Sequence, residues 1–212
     1  MGRTGRAVSA AALWAILGLT PAWAGENAMP DFGAHHVSAD ARHVARWIID
    51  SDDHRGRPFA IVDKRQARIY VFEATGRLSG ASSALLGQAR GDQSAPGVGE
   101  RAQFGGVLPH ERTTPSGRFV SEPGRNLEGE HVVWVDYASA FAIHRVRSGA
   151  SRRTREARLA SGTPRDNRVS LGCVVVPQAF YSDVVQPLLG RKRAVVYVLP
   201  EDRPVREIFQ DL

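Results

Sequence analysis

Cys173 is the single cysteine among 212 residues, set in Ser170-Leu171-Gly172-Cys173-Val174-Val175-Val176. A lone thiol forms no disulfide within the chain, so it offers either nucleophilicity or a small apolar side chain heading a valine strand. At neutral pH a thiol is mostly protonated and needs a base or a cation beside it before it can attack. His144 is the best base for that task. It closes the apolar run Ala140-Phe141-Ala142-Ile143, and strand alternation turns it to the side of Ala142 and Ala140. The competing reading is a strand-end histidine bonded to backbone. Gly172 permits a tight turn and leaves room for a substrate carbonyl, with amides around Gly172 and Cys173 available to an oxyanion. Ser170 can brace this loop or orient substrate. Arg168 can meet a substrate carboxylate or simply point outward into solvent.

These residues need a frame, and the chain reads as strand-dominated. Ser38 to Asp50 is predicted helical, capped by Ser38, with Asp40 near the positive end and Ala41, Val44, Trp47 and Ile48 on one face. The run 51–58 breaks it. Strands are expected at Phe59 to Asp63, Arg68 to Phe72, Leu78 to Leu86, Arg118 to Val120, His131 to Val135, Ala140 to His144, Val174 to Val176 and Ala194 to Leu199. Residues 88–98 read as loop and Thr114-Pro115-Ser116-Gly117 as a turn. Pro177 to Val185 suits a helix with proline in its first turn. Residues 149–167 carry Arg152, Arg153, Arg155, Arg158 and Arg165 and read as a short exposed helix in a long loop. That insert is either a solvated basic surface or a rim for anionic substrate. The expected fold is mostly β with a few helices, a single mixed-sheet barrel or sandwich.

Residues 1–24 read as a secretory signal: Arg3 and Arg6, an apolar stretch around Leu13 to Leu17, and Ala22-Trp23-Ala24 for cleavage. The expectation is a periplasmic or secreted protein with no stable membrane insertion after cleavage. Residues 25–58 would form a leader and the N-terminal helix, and 59–212 one catalytic-type domain. The formal charge of +6 contains the two signal arginines, leaving a mild surplus that suits a carboxylate-bearing polymer. No nucleic-acid motif is present, so no nucleic-acid partner is expected. His35, His36, Asp40 and His43 lie close together but read as surface helix residues, and neither metal nor cofactor is predicted. Asp52, Asp53 and His54 read as a polar turn, and Ser82-Ser83 as strand. Trp134 and Tyr137 read as a core tryptophan with a turn tyrosine, the alternative being the border of a cleft.

Thr114-Pro115-Ser116-Gly117-Arg118-Phe119, then Ala142-Ile143-His144, then the Ser170 to Val176 segment resemble the successive landmarks of the YkuD-type L,D-transpeptidase catalytic domain family. Ile61 to Phe72 resembles that domain's first hairpin, and the likeness runs from Phe59 to Pro200. It implies cysteine acyl transfer on peptidoglycan stem peptides, with Cys173 as nucleophile, His144 as base and a Cys173 thioester intermediate. No cofactor is implied. The chain departs from the pattern at Leu171, where histidine is usual, at Arg145, where glycine is common, and at Val175, where Arg or Asn is usual. The His144 to Ser170 span is also longer than usual. The alternatives are an L,D-carboxypeptidase, or a decayed cell-wall-binding scaffold on the same fold.

Overall fold

The structure is a computed structural model that describes residues 1–2 and 30–209. All but the first two residues of the signal-like segment 1–24 lie outside the described residues. Helix α1, Ala39–Asp50, starts where Ser38 Oγ accepts from the Ala41 N–H at 3.1 Å, and Asp40 sits in its electropositive first turn. Ala41, Val44, Ala45 and Ile48 form its buried stripe.

The strands are β1 (Phe59–Asp63), β2 (Arg68–Phe72), β3 (Leu78–Ser83), β4 (Leu86–Gly87), β5 (Gly117–Arg125), β6 (His131–Asp136), β7 (Phe141–Arg145), β8 (Arg168–Ser170), β9 (Val174–Val176) and β10 (Ala194–Val198). Helix α2 (Val98–Gln103) precedes β5, and α3 (Arg152–Leu159) lies within the arginine-rich insert. Helix α4 spans 178–189, with a π-helical middle at Tyr181–Val185. Eight strands join in the order β3-β2-β1-β10-β5-β6-β7-β9, while β4 and β8 pair separately. The β1–β10 and β7–β9 pairs are parallel and the other pairs of the large sheet antiparallel. Leu85, just past β3, exchanges backbone hydrogen bonds of 2.7 and 2.9 Å with Val175 of β9, so the two ends of the sheet meet in a nearly closed barrel.

Val62, Ile69, Val71, Phe141, Ile143, Val174, Val176 and Val196 fill the inside of that barrel together with Tyr181, Val185 and Leu189 of α4. The outer face of β1, β2 and β10 is buried as well, beneath α1, through Phe59, Ile61, Tyr70, Phe72, Val195 and Tyr197. Burial on both faces is why β1 and β10 read as unbroken apolar runs rather than alternating ones. The strand expected at Arg118 to Val120 continues to Arg125. The segment 52–54 is the expected turn, with Asp52 exposed, but its other two residues are engaged with the fold. His54 is buried and stacks on Phe59 at 5.2 Å between centroids, and Asp53 holds Arg118 Nε at 2.5 Å and the Tyr197 hydroxyl.

Candidate functional site

Parallel pairing of β7 with β9 sets Ile143 beside Val174 and His144 beside Val175. Ile143, Val174 and Val176 point into the barrel, so the alternate positions Ala142, His144, Cys173 and Val175 share its outer face. Cys173 is therefore the diagonal neighbour of His144 across two adjacent strands. The cysteine is half-buried, against the small cluster of Leu85, Val146, Leu159 and Val175. Its Sγ lies 3.4 Å from Ala140 O, to which the thiol donates. Burial pushes the thiol above its ordinary value, while the Ala142 amide and the Arg147 cation pull the other way.

His144 Nδ1 lies 2.8 Å from Arg145 O. A carbonyl only accepts, so Nδ1 carries the proton and the lone pair of the neutral ring sits on Nε2. Burial, with Arg147 and Arg155 adding to it, lowers the imidazole to about 4 against the opposing pull of the Arg145 carbonyl and Glu130. The ring is neutral throughout the physiological range and able to accept a proton at Nε2.

The loop carrying the cysteine is braced by two hydroxyls. Ser170 Oγ accepts from Gly172 N–H at 3.1 Å and donates to Cys173 O at 2.6 Å. Thr114 Oγ1, wholly buried, accepts from Gly87 N–H at 2.9 Å and donates to Gly172 O at 2.8 Å. Gly172 has φ of +135°, and a Cβ there would stand 2.9 Å from Thr113 O; a Cβ on Gly87 would stand 2.2 Å from Arg112 O. The 112–114 backbone thus passes between two glycines that no other residue replaces without displacement. Thr114 O in turn accepts from Lys64 Nζ at 2.9 Å. That buried ammonium also donates to Gly91 O at 2.6 Å and to Asp92 Oδ1 at 2.8 Å.

Arg168 belongs to the same network. Its guanidinium donates to Glu201 and, at 2.9 Å, to Lys64 O. The structure places it in a structural ion cluster, where both terminal nitrogens are engaged with Glu201 and its side chain is 11% exposed, and not in position to meet a substrate carboxylate at the thiol. Ser170 is likewise buried, its hydroxyl committed to the loop. Cys173, His144 and Gly172 come together; Arg168 is held apart from them by Glu201.

The border of the site comes from Ala140 and Gly124, which the sequence did not single out, and from Trp134 and Tyr137, for which a cleft border was the alternative reading. Ala140, at φ +49°, turns its carbonyl to the sulfur. Trp134 pairs with Ala142 across β6 and β7 and so shares the outer face. It stacks on Tyr137 at 4.5 Å, and Tyr137 is exposed, so the pair edges the site and is not a core tryptophan with its turn. A Cβ on Gly124 would stand 2.6 Å from the Trp134 ring, so this glycine makes room for it. Arg147 is ion-paired with Glu128 at 3.2 Å and Glu130 at 3.1 Å. Leu171, where a histidine was the expectation, is 52% exposed at the rim. Leu159 and Arg155, four residues apart, share the face of α3 turned to the barrel.

Among the described residues, no group of three or more His, Cys, Asp or Glu is placed to hold a metal, and no helix is long and apolar enough to cross a membrane. No family model and no curated protein matches the sequence. Solved structures do. The chain is similar to the helical cell shape determining protein Pgp2 from Campylobacter jejuni, at 15% identity and TM-score 0.44, over 69% of this chain and 49% of that one. It is similar to an L,D-transpeptidase from Mycobacterium smegmatis, at 15% identity and TM-score 0.40, over 67% of this chain and 58% of that one. It is also similar to the catalytic domain of an E. faecium L,D-transpeptidase acylated by ertapenem, at 17% identity and TM-score 0.37, over 68% and 97%. The chain spans about half the length of the first two.

Proposed function

We propose that this protein is a cysteine acyltransferase of the L,D-transpeptidase kind, acting outside the cytoplasm on peptidoglycan stem peptides. One observation carries the reading: Cys173 and His144 share the outer face of adjacent strands, with the ring's proton committed at Nδ1 and its lone pair left at Nε2. The substrate class rests on the ordered motifs from Thr114 to Val176. The thiol proton passes to Nε2 as Sγ bonds to the carbonyl carbon between the L-centre of a diamino acid and the following D-residue. The Cys173 N–H holds the oxyanion. The C–N bond then breaks, and the imidazolium returns its proton to the departing D-amino acid. An amine of a second stem peptide, or water, opens the thioester, giving a crosslink or a trimmed peptide.

A second reading has its own support. The raised thiol, its bond to Ala140 O and the weakly basic imidazole suit a scaffold that binds cell wall without reacting. Ertapenem and intact-mass measurement separate the two. The enzyme forms one covalent adduct, lost in Cys173→Ala and slowed by roughly 10²-fold or more in His144→Gln. A folded chain that binds peptidoglycan but takes up no ertapenem is the scaffold.

A further inference from the structure

We infer that Thr114 is the positioning residue for the oxyanion donor of this site, acting through the peptide plane that joins Gly172 to Cys173. The inference rests on the acyl-transfer reading above for its consequence, and on geometry for its cause.

Gly172 C=O and Cys173 N–H belong to one planar trans peptide, since no cis peptide bond occurs among the described residues. Fixing the direction of the carbonyl therefore fixes the N–H, which points the opposite way. The carbonyl is fixed by Thr114 Oγ1 at 2.8 Å in a buried setting. The hydroxyl's single proton goes to Gly172 O because a carbonyl cannot donate. Gly87 N–H, at 2.9 Å, occupies a lone pair of the same oxygen and holds the hydroxyl in that orientation. Gly172's own amide is taken by Ser170 Oγ. Among the described residues nothing accepts from the Cys173 amide, so it alone of the two remains for an oxyanion. Ser170 holds the two flanking peptide groups through Gly172 N–H and Cys173 O, which leaves Thr114 as the hydrogen-bond partner of the plane between them; Gly172, at φ +135°, has the wide backbone range that would let that plane turn without it.

The distance from Thr114 to the loop in sequence is 58 residues. What brings them together is the passage of the 112–114 backbone between Gly87 and Gly172, and the tie from Lys64 Nζ to Thr114 O. The Thr114 hydroxyl is engaged by Gly87 N–H and Gly172 O and makes no hydrogen bond to the sulfur. Its effect is on the direction of one N–H, and that separates it from a residue that merely supports the fold.

The test compares Thr114→Val, which keeps the shape and loses the hydroxyl, with Thr114→Ser, which keeps the hydroxyl. Two reactions at Cys173 are timed: acylation by ertapenem, which builds an oxyanion, and alkylation by iodoacetamide, which does not. Thr114→Val should slow acylation by about 10- to 100-fold, up to the loss seen when an oxyanion donor is removed. Alkylation should stay within about twofold, and Thr114→Ser should recover most of the acylation rate. Equal losses in both reactions, an unchanged acylation rate, or a serine variant as slow as the valine one would overturn the inference. Thr114→Ala replaces the valine variant should that not fold.

Magnetic resonance on the same proteins reads the geometry without any chemistry. The Gly172 carbonyl and Cys173 amide signals should move in Thr114→Val and return in Thr114→Ser; if they stay put, the inference fails. A folded, unsubstituted chain that takes up no ertapenem defeats the acyl-transfer reading, while these signals still decide whether Thr114 sets the plane.

Discussion

The barrel's outer surface is covered twice, and the two covers differ in kind. Beneath α1, fifteen buried residues make a second core, with Phe59 stacked on Phe72 at 4.6 Å and Phe32, Tyr70 and Tyr197 edge-on around them. Beneath α3 the buried set is four residues: Leu85, Val146, Leu159 and Val175. α1 inserts a full stripe of four side chains, whereas α3 buries Leu159 alone and carries arginines along the rest of its length. The first cover is part of what folds the chain. Opening the second would expose far less apolar surface than opening the first, so it should cost less. Cys173 and His144 lie on the face under the second.

The largest expected effect tests the first cover. Phe59→Ala removes a fully buried ring from the centre of the α1 side and should cost about 3–5 kcal/mol in urea unfolding. Leu159→Ala should cost less, about 2 kcal/mol, at the low end for a buried leucine, because Leu159 keeps 6% exposure and packs in a cluster of only four buried residues. Its main effect is elsewhere: Cys173 should react with iodoacetamide roughly tenfold faster, the factor that 1.4 kcal/mol of easier opening supplies. Should Leu159→Ala destabilise the chain as much as Phe59→Ala, or leave the thiol's reactivity unchanged, the contrast between the covers is wrong.

The same contrast explains which features were legible in the sequence. Strands β1, β2, β9 and β10 were, because burial on both faces writes them as dense runs of Val, Ile and Phe, and β6 and β7 were legible through their inward-facing Val133, Val135, Phe141 and Ile143. The Ser38 cap was legible because its partner is three residues away. Arg168 read either as a substrate ligand or as a solvent-facing arginine, and its buried ion pair was missed because its partner, Glu201, is 33 residues further on and no local pattern announces it. The burial of His54 was not legible because it comes from stacking on Phe59, although its Nε2 also lies 3.5 Å from the neighbouring Asp52 carboxylate. The TPSG turn was visible as a motif. That Thr114 reaches Gly172 was not, since the contact exists only once two glycines admit the 112–114 backbone between them. Trp134 was drawn toward the core by its size. Gly124, which lets it lie flat on the outer face, is ten residues away on the opposite strand.

The smallest expected effect asks whether α3 reaches the imidazole electrostatically. Arg155 and Arg147 both disfavour the imidazolium, with Glu130 opposing them, and burial is the largest cause of the drop to about 4. Arg155→Gln should therefore raise the His144 midpoint, by on the order of half a pH unit for a partly screened charge. Proton resonances of the ring measure this directly. The linkage has a definite sign. Below its ordinary value of 6.5 the unfolded histidine binds a proton that the folded one refuses until about pH 4. The stability tied to a neutral His144 is thus complete above about pH 6.5 and is lost progressively as pH falls toward 4. Arg155→Gln narrows that window from its acid end, so it should protect the fold slightly at pH 4.5 and leave it unchanged at pH 7.5. If the midpoint does not move while Leu159→Ala still frees the thiol, α3 shields this site by apolar contact alone and its arginines serve the solvent side.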